Sequence, residues 1–377
     1  MPATRPPVRP IEALPFWLSL LLLPLLWISA LAGGWTLFLV PLFAWVVVSV
    51  GDSIAGLNTA NPDPDTPESA LTLHTAVTLA WPPLQFVTLF AIIGMVAYTQ
   101  NLAPWELALL TLGFGITTGG IGIVYAHELM HRKSRVERWL GDALMTMALY
   151  GHFRSEHLLV HHAYVGTPRD AVTARYNESF HAFILRVLPG CLRSAWAAEK
   201  AKLARKGLPV WDRSNPFWRY ATLDLAFLLL ALIVGGWTGL AVFAGQAFIA
   251  IWHLELVNYV EHYGLVRKHL GGGKYEPQKP HHSWNAAHRL SNWLLINLQR
   301  HADHHVHPGR AYPLLQTHGP EAAPQLPHGY PLMTLMALAP PLWFSRMNPR
   351  VRRWRESFYP EITDWRPYNK LATPLPR

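Results

Sequence analysis

Long apolar runs alternate with polar, charge-bearing stretches along this chain, and that alternation predicts its architecture. Leu14 to Leu31 is Leu-rich and broken only by Pro24, which a helix in lipid tolerates. Gly33-Gly34 makes a tight connection, and Trp35 to Val50 is a second run, so the two form a hairpin. Residues 51–76 are polar and Pro-rich and read as a loop. Leu84 to Tyr98, with Val77–Pro83 before it, and Leu107 to Ala126 are the third and fourth runs, joined by a turn over Asn101–Pro104. The glycines of the fourth run suit close helix contact in lipid, where hydrophobic force between helices is missing. After a long polar segment, 132–219, Leu223–Val234 and Leu240–Val260 form the last two runs, joined at Gly235-Gly236. Pro331–Phe344 is apolar but too short to cross, and reads as packed on the bundle or lying in the interface. The expectation is an all-α membrane protein with six transmembrane helices. A tail over 1–12 precedes one domain over 13–349, and a tail over 350–377 follows it.

Composition narrows the picture. The 377 residues are 51% hydrophobic and only 15% charged, low for a soluble protein. The single cysteine, Cys191, excludes a disulfide framework and any Cys-rich zinc or iron–sulfur module within the chain. Electrons for redox chemistry must then come from outside. The net charge of +9 lies largely between and after the apolar runs. It is better explained by membrane topology than by nucleic acid, for which no recognition module is visible. With the basic segments placed in the cytoplasm, six crossings put 51–76, 132–219 and 263–377 on that side.

Histidines gather at the same side. His127 and His131 are i and i+4 at the end of the fourth run, and therefore share a helix face. The zinc-protease pattern His-Glu-x-x-His has one residue fewer between its histidines, so a protease is disfavoured. His157 and His161 repeat the i, i+4 spacing, with His162 beside them. His262 ends the sixth run. His301, His304 and His305 stand at i, i+3 and i+4. Imidazole is the commonest protein metal ligand, and an all-nitrogen set suits Fe, Zn, Cu or Ni. Nine histidines are too many for one ion and about right for two. Glu128, Glu156, Glu261 and Asp303 each adjoin a candidate ligand and could accept its N–H. Two iron ions in a dry cavity suit activation of dioxygen, with one oxygen atom inserted into a C–H bond and the other released as water.

Several motifs carry a resemblance. They are His127-Glu128-Leu129-Met130-His131-Arg132, Tyr150-Gly151-His152-Phe153, Glu156-His157 with His161-His162, and Asn258 to Leu265. The most specific are Pro280-His281-His282-Ser283-Trp284-Asn285 and Leu298 to His305. In these the chain resembles the integral-membrane non-haem di-iron alkane 1-monooxygenases, from about the first run to Pro349. The resemblance implies a six-helix bundle with a cytoplasmic histidine-rich helical cap in a bacterial inner membrane. It assigns His127, His131, His157, His161, His162, His262, His301, His304 and His305 to two irons, and places His282 beside them. It implies O2 as co-substrate, n-alkane terminal methyls as targets, and electrons from rubredoxin reduced by an NAD(P)H-dependent reductase. The basic cytoplasmic face would suit an acidic carrier.

Leu158, Leu159 and Val160 depart from the family's usual polar residues and Gly at those places, and Arg132 stands where Lys is common. Hydroxylases of methyl groups on aromatic rings share the His127–Arg132 spelling, so these and fatty-acyl desaturases on the same scaffold remain alternatives. A metal transporter is the non-enzyme alternative, disfavoured because no internal repeat is visible and the histidines lie at helix ends. Bulky side chains in the membrane helices, such as Trp45 and Phe90, are candidates to line and cap a substrate channel.

Overall fold

The computed structural model describes residues 6–370. The outer parts of both expected tails, 1–5 and 371–377, lie outside the described residues. Among the described residues, five helices are long and apolar enough to cross a membrane: α1 (Pro10–Ala32), α2 (Gly34–Ala55), α3 (Glu68–Thr99), α4 (Pro104–Met130) and a 46-residue helix, Phe217–His262. The expected loop over 51–76 is shorter than the polar pattern suggests, because helix continues to Ala55 and resumes at Glu68.

The 46-residue helix is folded back on itself. Unbroken, it would run about 70 Å, more than twice the thickness of a bilayer core. Gly236 interrupts it with φ 58° and ψ −152°, a conformation that glycine adopts without steric cost. A Cβ added at Gly239 would stand 2.6 Å from the carbonyl oxygen of Ala231, whereas residues eight apart on a straight helix are about 12 Å apart. We call the whole element α8, with two apolar arms either side of Gly236.

The turns of the bundle meet at one end. Gly33 and Gly34 have positive φ and reverse the chain between α1 and α2. Glu106 ties that turn to the next: its carboxylate accepts from the Gly34 N–H at 2.7 Å and from the Ala103 N–H at 2.8 Å. Small residues set the helix spacing. A Cβ at Gly119 on α4 would lie 2.7 Å from the Ala250 carbonyl oxygen and 2.8 Å from its Cα. The α4 and α8 backbones are therefore nearly in contact there.

The opposite end carries a helical cap. It comprises α5 (Arg135–Met147), α6 (153–164), α7 (Phe180–Ala204), α9 (Arg289–Leu294), α10 (His301–Val306), α11 (Tyr330–Ala337) and α12 (Pro340–Phe358). α12 continues across the expected boundary at 349/350. A two-stranded ribbon, His269–Gly271 with Lys274–Tyr275, is the only sheet among the described residues. Polar bonds pin the cap to the bundle. Asp52 accepts from the Ser291 N–H at 2.9 Å, and the Tyr312 hydroxyl donates to the His74 carbonyl at 3.1 Å. The apolar segment over 331–344 forms α11 and the start of α12. Trp343 packs on Tyr259 and Tyr263 at the end of α8.

Candidate metal centre

The fold brings all nine histidines together as two neighbouring groups. His127, His131, His157, His162 and His304 form one, and His161, His262, His301 and His305 the other. Within each group the nitrogens on offer lie within 4.8 Å of one another.

Local helix geometry decides the sorting. The i, i+4 spacing predicts that His157 and His161 share a face, but they are divided between the groups. Residues 157–161 form a π-helical turn, whose i→i+5 hydrogen bonds bring residues five apart into line. His157 therefore faces His162, their Nε2 atoms 2.9 Å apart, while His161 points at His305 across 3.3 Å. α10 also serves both groups, His304 the first and His301 with His305 the second.

The nitrogen spacing fits a shared cation. The Nε2 of His131 lies 3.0 Å from that of His157 and 3.2 Å from that of His162, which closes a triangle with the 2.9 Å contact. A neutral ring nitrogen is either donor or acceptor, so two of the three must be alike and repel. Metal–nitrogen bonds of about 2.1 Å at right angles put neighbouring nitrogens about 3 Å apart, the spacing observed. The second group is similar, with His301 Nε2 at 3.2 Å from His262 and 2.9 Å from His305. Burial keeps the rings neutral and their lone pairs free. It pushes His131 down to about 4, helped by the Arg154 charge, and holds His157, His162, His301, His304 and His305 well below the usual imidazole value.

The expected carboxylate partners are placed unevenly. Glu261 Oε2 lies 3.3 Å from His301 Nε2. Glu128 accepts from the Tyr312 N–H at 3.3 Å and sits 3.9 Å from Arg132, with no hydrogen bond to a histidine ring among the described residues. Both oxygens of Glu156 lack a hydrogen-bond partner among the described residues. Burial, with Asp170 and Glu255 nearby, pushes its carboxyl well up. Asp303 binds no candidate ligand: it takes Arg310, the Gln316 N–H at 2.9 Å and His318 at 3.3 Å, anchoring the loop after α10. On its helix it points to the side opposite His301 and His305.

His282 lies apart from both groups. Its Nδ1 accepts from the Lys279 N–H at 2.9 Å, so the neutral ring carries its proton on Nε2, 2.7 Å from the Tyr359 hydroxyl. That hydroxyl donates in turn to Glu276. Glu276, His281 and His282 are near enough to hold an ion, but this proton placement makes them a hydrogen-bonded brace that fastens the end of α12.

Asp170 is the carboxylate that sequence reasoning missed. It lies 3.1 Å from His161 Nδ1, and is itself held by the Thr173 hydroxyl at 2.7 Å and the Val172 N–H at 3.0 Å. Nothing in its local sequence marks it, because its partner ring lies nine residues away.

Two adjoining apolar voids between the membrane helices and the cap line up towards the groups. The outer part, ≈ 40 Å³, is lined by Leu22, Trp45, Ile121, His253, Leu295 and others. Val124, Val257 and Leu298 are shared with an inner part of ≈ 30 Å³ that ends on His127, His157 and His301. Trp45 is on the wall, whereas Phe90 is not. It packs among Phe86, Phe227 and Phe243 on another side of α3. His253 was not anticipated. Val160 is buried but lines neither part.

Apolar helices capped by paired histidine groups define a multi-pass membrane protein with a non-haem metal site. The family model described as fatty acid desaturase matches residues 101–336, a range that holds all nine histidines. The chain is 38% identical over 312 residues to alkane 1-monooxygenase 1 of Pseudomonas aeruginosa, covering 80% of each chain. It is 37% identical over 343 residues to alkane 1-monooxygenase 2 of that organism, covering 85% of this chain and 87% of the relative. It is also 30% identical over 259 residues to the hydroxylase component of the xylene/toluene monooxygenase of Pseudomonas putida, covering 68% and 67%. The chain belongs to the alkane 1-monooxygenase family, and it is an enzyme of that type.

Proposed function

We propose that the protein hydroxylates the terminal methyl of n-alkanes to 1-alkanols, with dioxygen, at a pair of iron ions held by the nine histidines. The observation that carries the reading is a pair of adjoining apolar voids, the inner of which ends on His127 and His157 of one histidine group and His301 of the other. When bound, the irons supply oxygen activation. The chain's own residues do the rest. Ile121, Val124, Val257 and Leu298 hold the hydrocarbon in line, so that its end rather than its middle meets the metals. Close packing of Gly119 on Ala250 keeps water from the bilayer side. Asp170 fixes the His161 ring, and Glu261 stands beside His301. Both arms of α8 are read as crossings, which makes six, and positive charge in 132–219 and 346–355 supports a cytoplasmic side of the inner membrane for the histidines. Rubredoxin, reduced by its NAD(P)H-dependent reductase, is the proposed electron source.

A hydroxylase of methyl groups on aromatic rings is the second reading, favoured by the relative in Pseudomonas putida. Purified protein, assayed for iron and supplied with rubredoxin, reductase and either octane, xylene or a fatty-acyl substrate, separates the readings by product. 1-Octanol with about two irons per chain supports the proposal. A benzylic alcohol or an alkene without 1-octanol overturns it.

A further inference from the structure

A second set of voids reaches the histidines, with polar groups on the walls of each. It starts at a cavity of ≈ 330 Å³ beside the first described residues, walled by Glu12, Asn61, His74, Arg289, Asn297 and Arg300 among others. His74 and Pro313 also wall a void of ≈ 10 Å³, completed by Thr75, Thr78, Glu128 and Tyr312 among others. Glu128 and Tyr312 in turn wall a third void, again ≈ 10 Å³, whose far side is His127 and His304. A polar void of roughly 10–15 Å³ is the size that holds one water. By shared walls the three line up as a file from the surface to the five-histidine group, where the last of them meets Val124 and Leu298 of the apolar voids.

His74 is the constriction. Its ring is 1% exposed, no side chain among the described residues bonds either ring nitrogen, and the Glu12 backbone is a polar neighbour on its outer side. The rings of Phe16 and Tyr312 flank it at 5.9 and 6.0 Å. A buried imidazole with a ring nitrogen unmet is costly, and a phenyl ring would fill the same space without that cost. With the large cavity on one side and the small void on the other, the ring can accept a proton from one and donate to the other. Glu12 is the acid on the outer side, and Glu128 with Arg132 stands on the inner side.

Hydroxylation by dioxygen, the reading on which this rests, has fixed needs. A C–H bond breaks, a C–O bond forms, and the second oxygen atom leaves as water. Two electrons from an external iron–sulfur carrier and two protons balance each turnover. The outer apolar void is walled mainly by aliphatic side chains, whereas polar groups stand on the walls of every void in the file.

We propose that protons reach the metal centre, and product water leaves it, through this polar file, with His74 as the relay and the hydrocarbon confined to the apolar cavity. Two measurements on the full-length protein in lipid nanodiscs test it. The first needs no turnover: X-ray hydroxyl-radical footprinting reads water contact at buried tyrosines. Tyr312, on the file, is modified several-fold faster than the similarly buried Tyr259, and His74→Phe slows it. Tyr312 as protected as Tyr259, or unmoved by His74→Phe, overturns the file. The second is kinetic, with octane and a reduced carrier. His74→Phe lowers kcat by about tenfold or more and leaves KM for octane in place. His74→Ala falls similarly and recovers with added imidazole, while His74→Phe does not, its ring filling the gap. Rates within about twofold of the unmodified protein, or imidazole acting equally on both variants, overturn the relay. If the unmodified protein makes no alcohol, the hydroxylase reading fails, and the footprinting result still decides whether the file carries water.

Discussion

Replacing Asp170 with Asn tests the residue that positions the four-histidine group. The side chain is buried, 1% exposed, and receives the His161 Nδ1–H at 3.1 Å. Asn keeps the shape and removes the charge. Its amide has one oxygen for three donors that the carboxylate now satisfies: His161, Thr173 and the Val172 N–H. A hydrogen bond to a charged acceptor contributes about 1.5–3 kcal/mol. At about 1.4 kcal/mol per decade, that is roughly 10–150-fold in affinity, in line with the 10–100-fold seen when such outer partners of metal ligands are lost. The assay is metal content by mass spectrometry after dialysis against graded chelator. The Asp170→Asn protein should release metal at a chelator concentration lower by about one to two decades, with about one ion per chain persisting longer. Thr173→Val, which removes only the hydroxyl that steadies the carboxylate, should shift release by less. Identical release curves for the unmodified and Asp170→Asn proteins would refute the reasoning, because they would show that the His161 ring is held without its acceptor.

Three further outcomes are expected. Trp45→Ser opens the outer apolar cavity, so longer alkanes become substrates. Each added methylene accommodated is worth about 0.8 kcal/mol, roughly fourfold in kcat/KM, and an unchanged product spectrum by gas chromatography removes Trp45 from the channel. Gly119→Ala drives a methyl into the α8 backbone at Ala250, and should cost about 1–3 kcal/mol, read as a lower melting temperature in detergent. Gly245→Ala, which meets only the Thr111 methyl, is the milder comparison. His152 gives a pH dependence, because burial holds its ring down to about 4. Between that value and about 6.5 the unfolded chain binds the proton and the folded one does not, so stability rises with pH across this window and is lost on acidification. His152→Phe should melt at a temperature that falls less between pH 6.5 and 4.5, and parallel curves would disprove it.

The apolar helices were legible because lipid imposes a single demand, about 20 residues without charge. Their direction of packing was not. Trp45 and Phe90 look alike in a sequence, yet one faces the cavity and the other an aromatic cluster between helices. The histidines could be enumerated from their spacing, since i, i+4 pairs share a face only while the helix is regular. The turn over 157–161 broke that assumption and reassigned His161. Asp170 and His74 carry no local pattern at all. Each is defined by what the chain brings to it from far away, Asp170 by the ring of His161 and His74 by Tyr312 and Pro313. Asp303 shows the converse. It stands between two candidate ligands in sequence, and its own direction on α10 takes it to a loop.

The wide turn over 157–161 also bears on how this segment can change through descent. One additional residue per turn is what sends neighbouring rings to different centres. Exchanging Leu158 or Leu159 for another side chain leaves that phase intact. Deleting either would close the wide turn into an ordinary helix that keeps His157 and His162 on one face, now as i and i+4, and moves His161 to i+3. The loss would fall first on how His161 meets His305, so the four-histidine centre depends on the length of this segment more than the five-histidine one does.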